Sequence, residues 1–241
     1  RQRIRELTLL ISFLLFPITQ FYFSPYLIIN GATRGIVTGS MLVFLLFLFG
    51  GALLGRAFCG WVMPCGALQE YLSRVNGRAV GSRLHRVKWF IWVPWITAII
   101  AITVTTGIRA VDPFYMTEYG ISIHESTLYV IYYGVIVLIV ALSLALGRRA
   151  TCHSACWMAP FMVIGRRIGR AARVPRLQLM ADRSSCIACG ICTDLCPMGL
   201  NVHAMVASGS TYHDECILCA RCADACPRNV LSVRFTGGVE T

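Results

Sequence analysis

Charge is scarce in this chain. Only 14% of its 241 residues are Asp, Glu, Lys or Arg, against 56% hydrophobic, whereas about a quarter of a soluble domain is charged. That excludes an ordinary soluble globule. Acid is scarcer than base: 11 Asp and Glu stand against 22 Lys and Arg, a formal net charge of +11. Four long apolar stretches hold no Asp, Glu, Arg or His in their interiors. Without an intramembrane acid they offer no proton relay, and without a His pair they offer no b-type haem ligation. A phosphate-binding glycine-rich loop, a nucleophile triad and a leader with a small-residue cleavage site are also missing. The chain opens on Arg1 rather than Met, which leaves room for a preceding segment.

The apolar stretches cover residues 7–29, 36–54, 88–108 and 127–146, and a bilayer span needs about 20 residues. The first contains Pro17 and Pro25, which membrane helices tolerate better than soluble ones. Arg and Lys distribute unevenly about these stretches: sixteen fall on one side, from Arg1, Arg3 and Arg5 to Arg176, and only Arg34 and Arg109 on the other. By the positive-inside rule both termini face the cytoplasm. The basic charge is then a topology signal, with lipid headgroups rather than nucleic acid as its partner. Trp61, Trp89, Trp92, Trp95 and Trp157 read as interfacial anchors. The expected fold is membrane all-α, with four transmembrane helices, multi-pass in the cell (cytoplasmic) membrane.

The membrane part, residues 1–176, reads as two pseudo-repeated hairpins. Two helices lead to GRAFCGWVMPC at residues 55–65, and two more lead to GRRATCHSACWMAP at residues 147–160. Each ends on Gly-Arg, a cysteine pair and a nearby Pro, which describes a parallel repeat about the membrane normal. Residues 177–241 are polar enough to be soluble and rich in cysteine.

That last segment holds CIACGICTDLCP, with Cys186, Cys189, Cys192 and Cys196, and CILCARCADACP, with Cys216, Cys219, Cys222 and Cys226. Both read C-x2-C-x2-C-x3-C-P, thirty residues apart. Three cysteines at i, i+3 and i+6 wrap three corners of a cubane, and the fourth reaches the other cluster. This is a bacterial-type ferredoxin domain with two 4Fe–4S clusters. Cys186, Cys189, Cys192 and Cys226 hold the first, and Cys216, Cys219, Cys222 and Cys196 the second. A zinc site, the bland alternative, needs only four ligands.

Of the twelve cysteines, Cys59, Cys65, Cys152 and Cys156 remain, two from each hairpin and all on the cytoplasmic side. They form a candidate third iron–sulfur or metal site. The alternatives are a redox-active dithiol pair or buried thiols acting as small hydrophobes. Arg56, Arg148 and Arg149 nearby would favour thiolate. His153 reads as a polar anchor rather than a ligand.

GRAFCGWVMPCGALQEYL and CHSACWMAPF resemble the two cysteine signatures of the membrane polyferredoxins of the NapH type, related to the C-terminal part of NosR and to CcoG-type 4Fe–4S binding membrane proteins. The resemblance covers residue 55 to the end and, loosely, the first two spans. The family usually carries C-x3-C-P twice; here Met63 stands at the first motif's second Cys position, with Cys65 two further on, and Pro160 follows Cys156 by four. The resemblance implies electron transfer between a quinone pool or flavoprotein and a reductase. The expected function is therefore a membrane-anchored electron-transfer subunit of an oxidoreductase complex, with other redox subunits as partners. The alternatives are a stand-alone membrane reductase of a metal ion or quinone, and a redox sensor or assembly factor.

Overall fold

The computed structural model describes residues 1–81 and 83–237; residues 238–241 of the expected C-terminal domain lie outside the described residues. The protein is mostly helical. Two uninterrupted helices are long and apolar enough to cross a membrane: α7 (Leu84–Thr106), and α8 (Tyr129–Leu146) with the short turn before it. At 1.5 Å per residue, the 23 residues of α7 extend about 34 Å, enough for a hydrocarbon core of about 30 Å. Both helices turn bulky side chains outward, among them Phe90, Val104, Val130 and Val137.

The expected span over residues 7–29 is not one helix. α1 (Gln2–Leu14) gives way to α2 (Phe16–Thr19) and a 3-10 turn (Gln20–Phe23), with a bend of 61° between the two parts. Pro17 lies in the first turn of α2, where its missing N–H costs nothing but the preceding helix cannot continue through it. Pro25 then opens α3 (Pro25–Arg34), which Gly35 closes in the left-handed region at φ 70°. The expected span over residues 36–54 also differs. It begins with strand β1 (Ile36–Thr38), and its helix α4 (Gly39–Leu54) has only 16 residues, about 24 Å. Among the described residues, two spans therefore pass by length and composition, or three if the bent pair is one.

After α4 and α8 the chain follows the same path twice. Each helix ends at a glycine with positive φ, Gly55 at 55° and Gly147 at 110°. A short helix follows, α5 (Ala57–Trp61) or α9 (Ala150–Ser154), and then one with Pro in its first turn, α6 (Pro64–Leu72) or α10 (Ala159–Ala171). α10 packs hard against α4. A Cβ on Gly165 would stand 1.9 Å from the Leu48 carbonyl oxygen, and one on Gly169 would stand 2.4 Å from that of Ala52. Small residues permit this backbone approach. Outside the helices, β1 pairs in parallel with β2 (Ala110–Asp112).

The C-terminal unit is closed by an antiparallel pair, β3 (Arg176–Ala181) with β4 (Leu231–Thr236), in register from Arg176 opposite Thr236 to Ala181 opposite Leu231. Both ferredoxin cysteine runs lie between the strands. The core is continuous with that of the helices before it, from Phe44, Trp95 and Met162 to Met198, Ile217 and Leu218.

Candidate metal centre

The twelve cysteines, all free thiols, gather around three cavities. Cys186, Cys189, Cys192 and Cys226 line one, with Val206 and Val230 behind them. Cys196, Cys216, Cys219 and Cys222 line the second, with Leu179, Leu200 and Val202. Each run thus turns its first three thiols to one cavity and its fourth to the other. Two loops, residues 186–192 and 216–222, make the turns. Ala188 and Gly190 in the first, and Leu218 and Ala220 in the second, adopt positive φ of 56°, 77°, 49° and 62°. Non-glycine residues rarely enter that region.

Cys59, Cys65, Cys152 and Cys156 line the third cavity, about 320 Å3, between the apolar helices α7 and α8 and the short helices α5 and α9. Phe16, Phe23, Ile139 and Trp157 supply apolar walls, and Met63 joins Cys65 in the lining. Gln69, almost fully buried, ties the two motifs: its Nε2 donates to the Cys65 carbonyl at 3.0 Å and reaches Cys152 Sγ at 3.4 Å, and its Oε1 accepts from Thr151 N at 3.1 Å.

Among the described residues, no group of three or more His, Cys, Asp or Glu meets closely enough to hold a single metal ion. The thiols ring a space instead of converging on a point. Such rings suit a polynuclear cluster better than a lone tetrahedral zinc, whose thiolates sit about 2.3 Å from one centre. Arg56 makes a second test of fit. It is fully buried, and its charge acts on the Cys59 and Cys152 thiols, two of the four that line the third cavity. A cation set against half of the thiols suits an anionic thiolate-held group there.

The arginines do not, however, leave these thiols ready-ionised. Burial pushes Cys59 up and outweighs Arg56, and burial with the Cys152 charge pushes Cys156 up to about 12. Arg148 points elsewhere, donating to the carbonyls of Asp194 at 2.8 Å and Cys196 at 3.2 Å. Arg149 donates to the Cys59 carbonyl at 2.8 Å.

Two buried carboxylates organise the surroundings, and neither was singled out from the sequence. Glu215 accepts from Arg56 at 2.7 Å and from Lys88, with His153 Nδ1 at 3.5 Å. Burial alone would raise its pKa, but Arg56, His153 and Lys88 hold it far below the usual carboxylate range. Glu70 takes Arg149 at 2.6 Å, Arg221 at 3.2 Å and Arg5. Burial is again outweighed, by Arg5 and Arg149, and its pKa falls to about 2. The available signal was an acid in a chain with few, one of them directly before a cysteine run. The tryptophans also depart from simple anchoring: Trp95 is buried against Trp157 and Phe161, and Trp61 Nε1 donates to the Leu218 carbonyl at 3.1 Å.

Two sequence families match this chain. A 4Fe-4S dicluster domain covers residues 185–231. A 4Fe-4S binding domain matches twice, over residues 37–89 and 128–175, which are the two segments carrying the remaining cysteines. Among curated proteins, YccM of Escherichia coli (strain K12), named as a candidate electron transport protein, is 22% identical over 189 residues, 75% of this chain and 52% of its own length. The methylamine utilization ferredoxin-type protein MauN of Paracoccus denitrificans (strain Pd 1222) is 26% identical over 184 residues, 72% of this chain and 60% of its own length. The chain thus spans little more than half the length of these relatives. No solved structure matches it. These similarities support an electron-transfer role with iron–sulfur chemistry, and the two apolar helices point to a membrane protein.

Proposed function

We propose, from the polyferredoxin-like family that these segments and relatives fit, that the chain is a membrane-anchored electron-transfer subunit. It relays electrons between a membrane redox partner or the quinone pool and a partner on the cytoplasmic side. The observation that carries this is the gathering of all twelve cysteines around three separate cavities, four to each. Residues 1–176 would form the membrane domain, four-pass with both termini cytoplasmic, and residues 177–241 the ferredoxin domain. The bent α1–α2 pair and the short α4 would supply the two further passes.

Cys186, Cys189, Cys192 and Cys226 would hold one 4Fe–4S cluster, and Cys196, Cys216, Cys219 and Cys222 the other. Cys59, Cys65, Cys152 and Cys156 would hold a third iron–sulfur or metal group. A bound cluster supplies one-electron exchange. The protein's own part is to hold the thiols in apolar cavities, to set Arg56 against the anionic group, and to keep Gln69 between the two membrane-side motifs. Glu215 and Glu70 balance the buried arginines, so cationic charge near the cavities stays paired.

Iron and acid-labile sulfide per chain test this reading. Two cubanes carry about eight irons, so a clear excess over eight is expected. That excess should fall when Cys59 and Cys152 are both replaced by Ser. A count of about eight, unchanged in the double variant, would remove the third centre from the scheme.

A further inference from the structure

The loops at residues 186–192 and 216–222 share a backbone course but not their surroundings. In the second, Ile217 is 1% exposed and Leu218 2%, and Cys219 and Ala220 are buried with them. The cover comes from the membrane unit. Gly60 lies so close that a Cβ there would stand 2.4 Å from the Ile217 carbonyl oxygen and 3.5 Å from Cys219 Cα. Trp61 donates to the Leu218 carbonyl at 3.1 Å, and Gln2 Nε2 to that of Cys219 at 3.0 Å. Gly60 directly follows Cys59, which lines the third cavity. One glycine in backbone contact therefore separates a thiol of the membrane-side cavity from the loop that lines the second. In the first loop, Ile187 is 57% exposed, Ala188 and Cys189 are exposed, and a Cβ at Gly190 would meet nothing within 4 Å.

We propose that the two loops have fixed and different places in the electron path: residues 216–222 form the inner relay facing Cys59, and residues 186–192 the outer terminus, where a water-soluble one-electron carrier exchanges electrons. The proposal rests on the three-centre reading above and adds the order. Tunnelling falls steeply with distance, so the loop in contact with Cys59 and Gly60 takes precedence over the one in water. With clusters held by these thiols, each passage would move one electron, oxidising one centre and reducing its neighbour, with no bond made or broken, and the last electron would reduce the water-soluble carrier. At the membrane end a quinol would supply two such electrons in succession and release two protons. The exchange of Cys196 and Cys226 between cavities keeps inner and outer centres adjacent.

Electron paramagnetic resonance on the full chain in lipid nanodiscs, reduced with dithionite, tests the order. A dysprosium chelate confined to water should speed the relaxation of one cluster signal several-fold and leave the other unchanged. Ile187→Asp should shift the midpoint potential of the dysprosium-sensitive signal, and Trp61→Phe that of the shielded one. The order is overturned if Trp61→Phe shifts the dysprosium-sensitive signal, both signals or neither, or if the chelate relaxes both equally. Should Trp61→Phe lose iron, Ile217→Val replaces it with the same expectation. Failure of the underlying reading looks different: the unsubstituted chain would carry about eight irons or fewer, unchanged when Cys59 and Cys152 are both replaced by Ser, or show a single cluster signal.

Discussion

The loops CIACGIC at residues 186–192 and CILCARC at residues 216–222 share four of seven residues, and both pass through the left-handed region at the third and fifth. Their environments are nearly opposite. Ile187 is 57% exposed, whereas Ile217, at the same place in the motif, is 1% exposed. The difference arises outside the motif. Glu215 precedes one loop, paired with Arg56 and Lys88 from the N-terminal part of the chain; Ser185 precedes the other and bonds to Asp182 at 3.0 Å. Arg221 in the loop at residues 216–222 is held by Glu70 at 3.2 Å, while its counterpart Ile191 is exposed. A motif fixes what a loop can bind; its flanking charges fix which neighbour it docks against.

The strongest way to break this comparison is at the residues preceding the loops. Glu215→Ala leaves Arg56 and Lys88 buried and uncompensated, and should cost about 3–5 kcal/mol, read as a large fall in thermal midpoint in detergent. Ser185→Ala should stay within about 0.5 kcal/mol; an equal loss from both would end the asymmetry. Inside the loops, Ile217→Ala should cost about 2–5 kcal/mol, against less than about 0.5 for Ile187→Ala, by the same melts.

Acid should sharpen the contrast, because Glu70 anchors only the inner loop, through Arg221, together with Arg5 and Arg149. Its folded pKa, about 2, lies below its ordinary value of 4.5. Its stabilisation is therefore present above about pH 4.5 and lost as pH falls towards 2, on the order of 3 kcal/mol in all. Melts of Glu70→Gln should show a flatter decline across that window. A smaller loss within the docked loop is expected from Trp61→Phe, which leaves the Leu218 carbonyl without its indole donor and should cost about 1 kcal/mol. Urea unfolding measures it, and a neutral result would mean that water replaces the indole.

Much of the candidate site was legible in the residues. Spacing alone grouped the eight ferredoxin cysteines, because C-x2-C-x2-C with a displaced fourth thiol is a local geometric device. Charge asymmetry and apolar length marked α7 and α8, whose apolar sides are largely exposed and need no particular partner within the chain. The break in the first apolar stretch was not legible, because hydropathy sums composition and does not register where Pro17 and Pro25 restart the backbone. Glu215, Glu70 and Gln69 were missed because their roles depend on cations or thiols far away in the chain, such as Arg56 for Glu215 and Cys152 for Gln69.

The sequence by itself determined the local chemistry: how many thiols there are, how they are spaced, and which helices are apolar along a bilayer's length. Those properties repeat within a few residues of themselves, so no distant partner is required to state them. Which of two loops with the same cysteine spacing docks against the N-terminal helices was settled by tertiary packing alone. That choice rests on Gly60 meeting Ile217 and on Arg56 meeting Glu215, pairs separated by more than 150 residues. Close packing and buried charge are satisfied between elements that folding brings together, and no pattern within either segment specifies its mate.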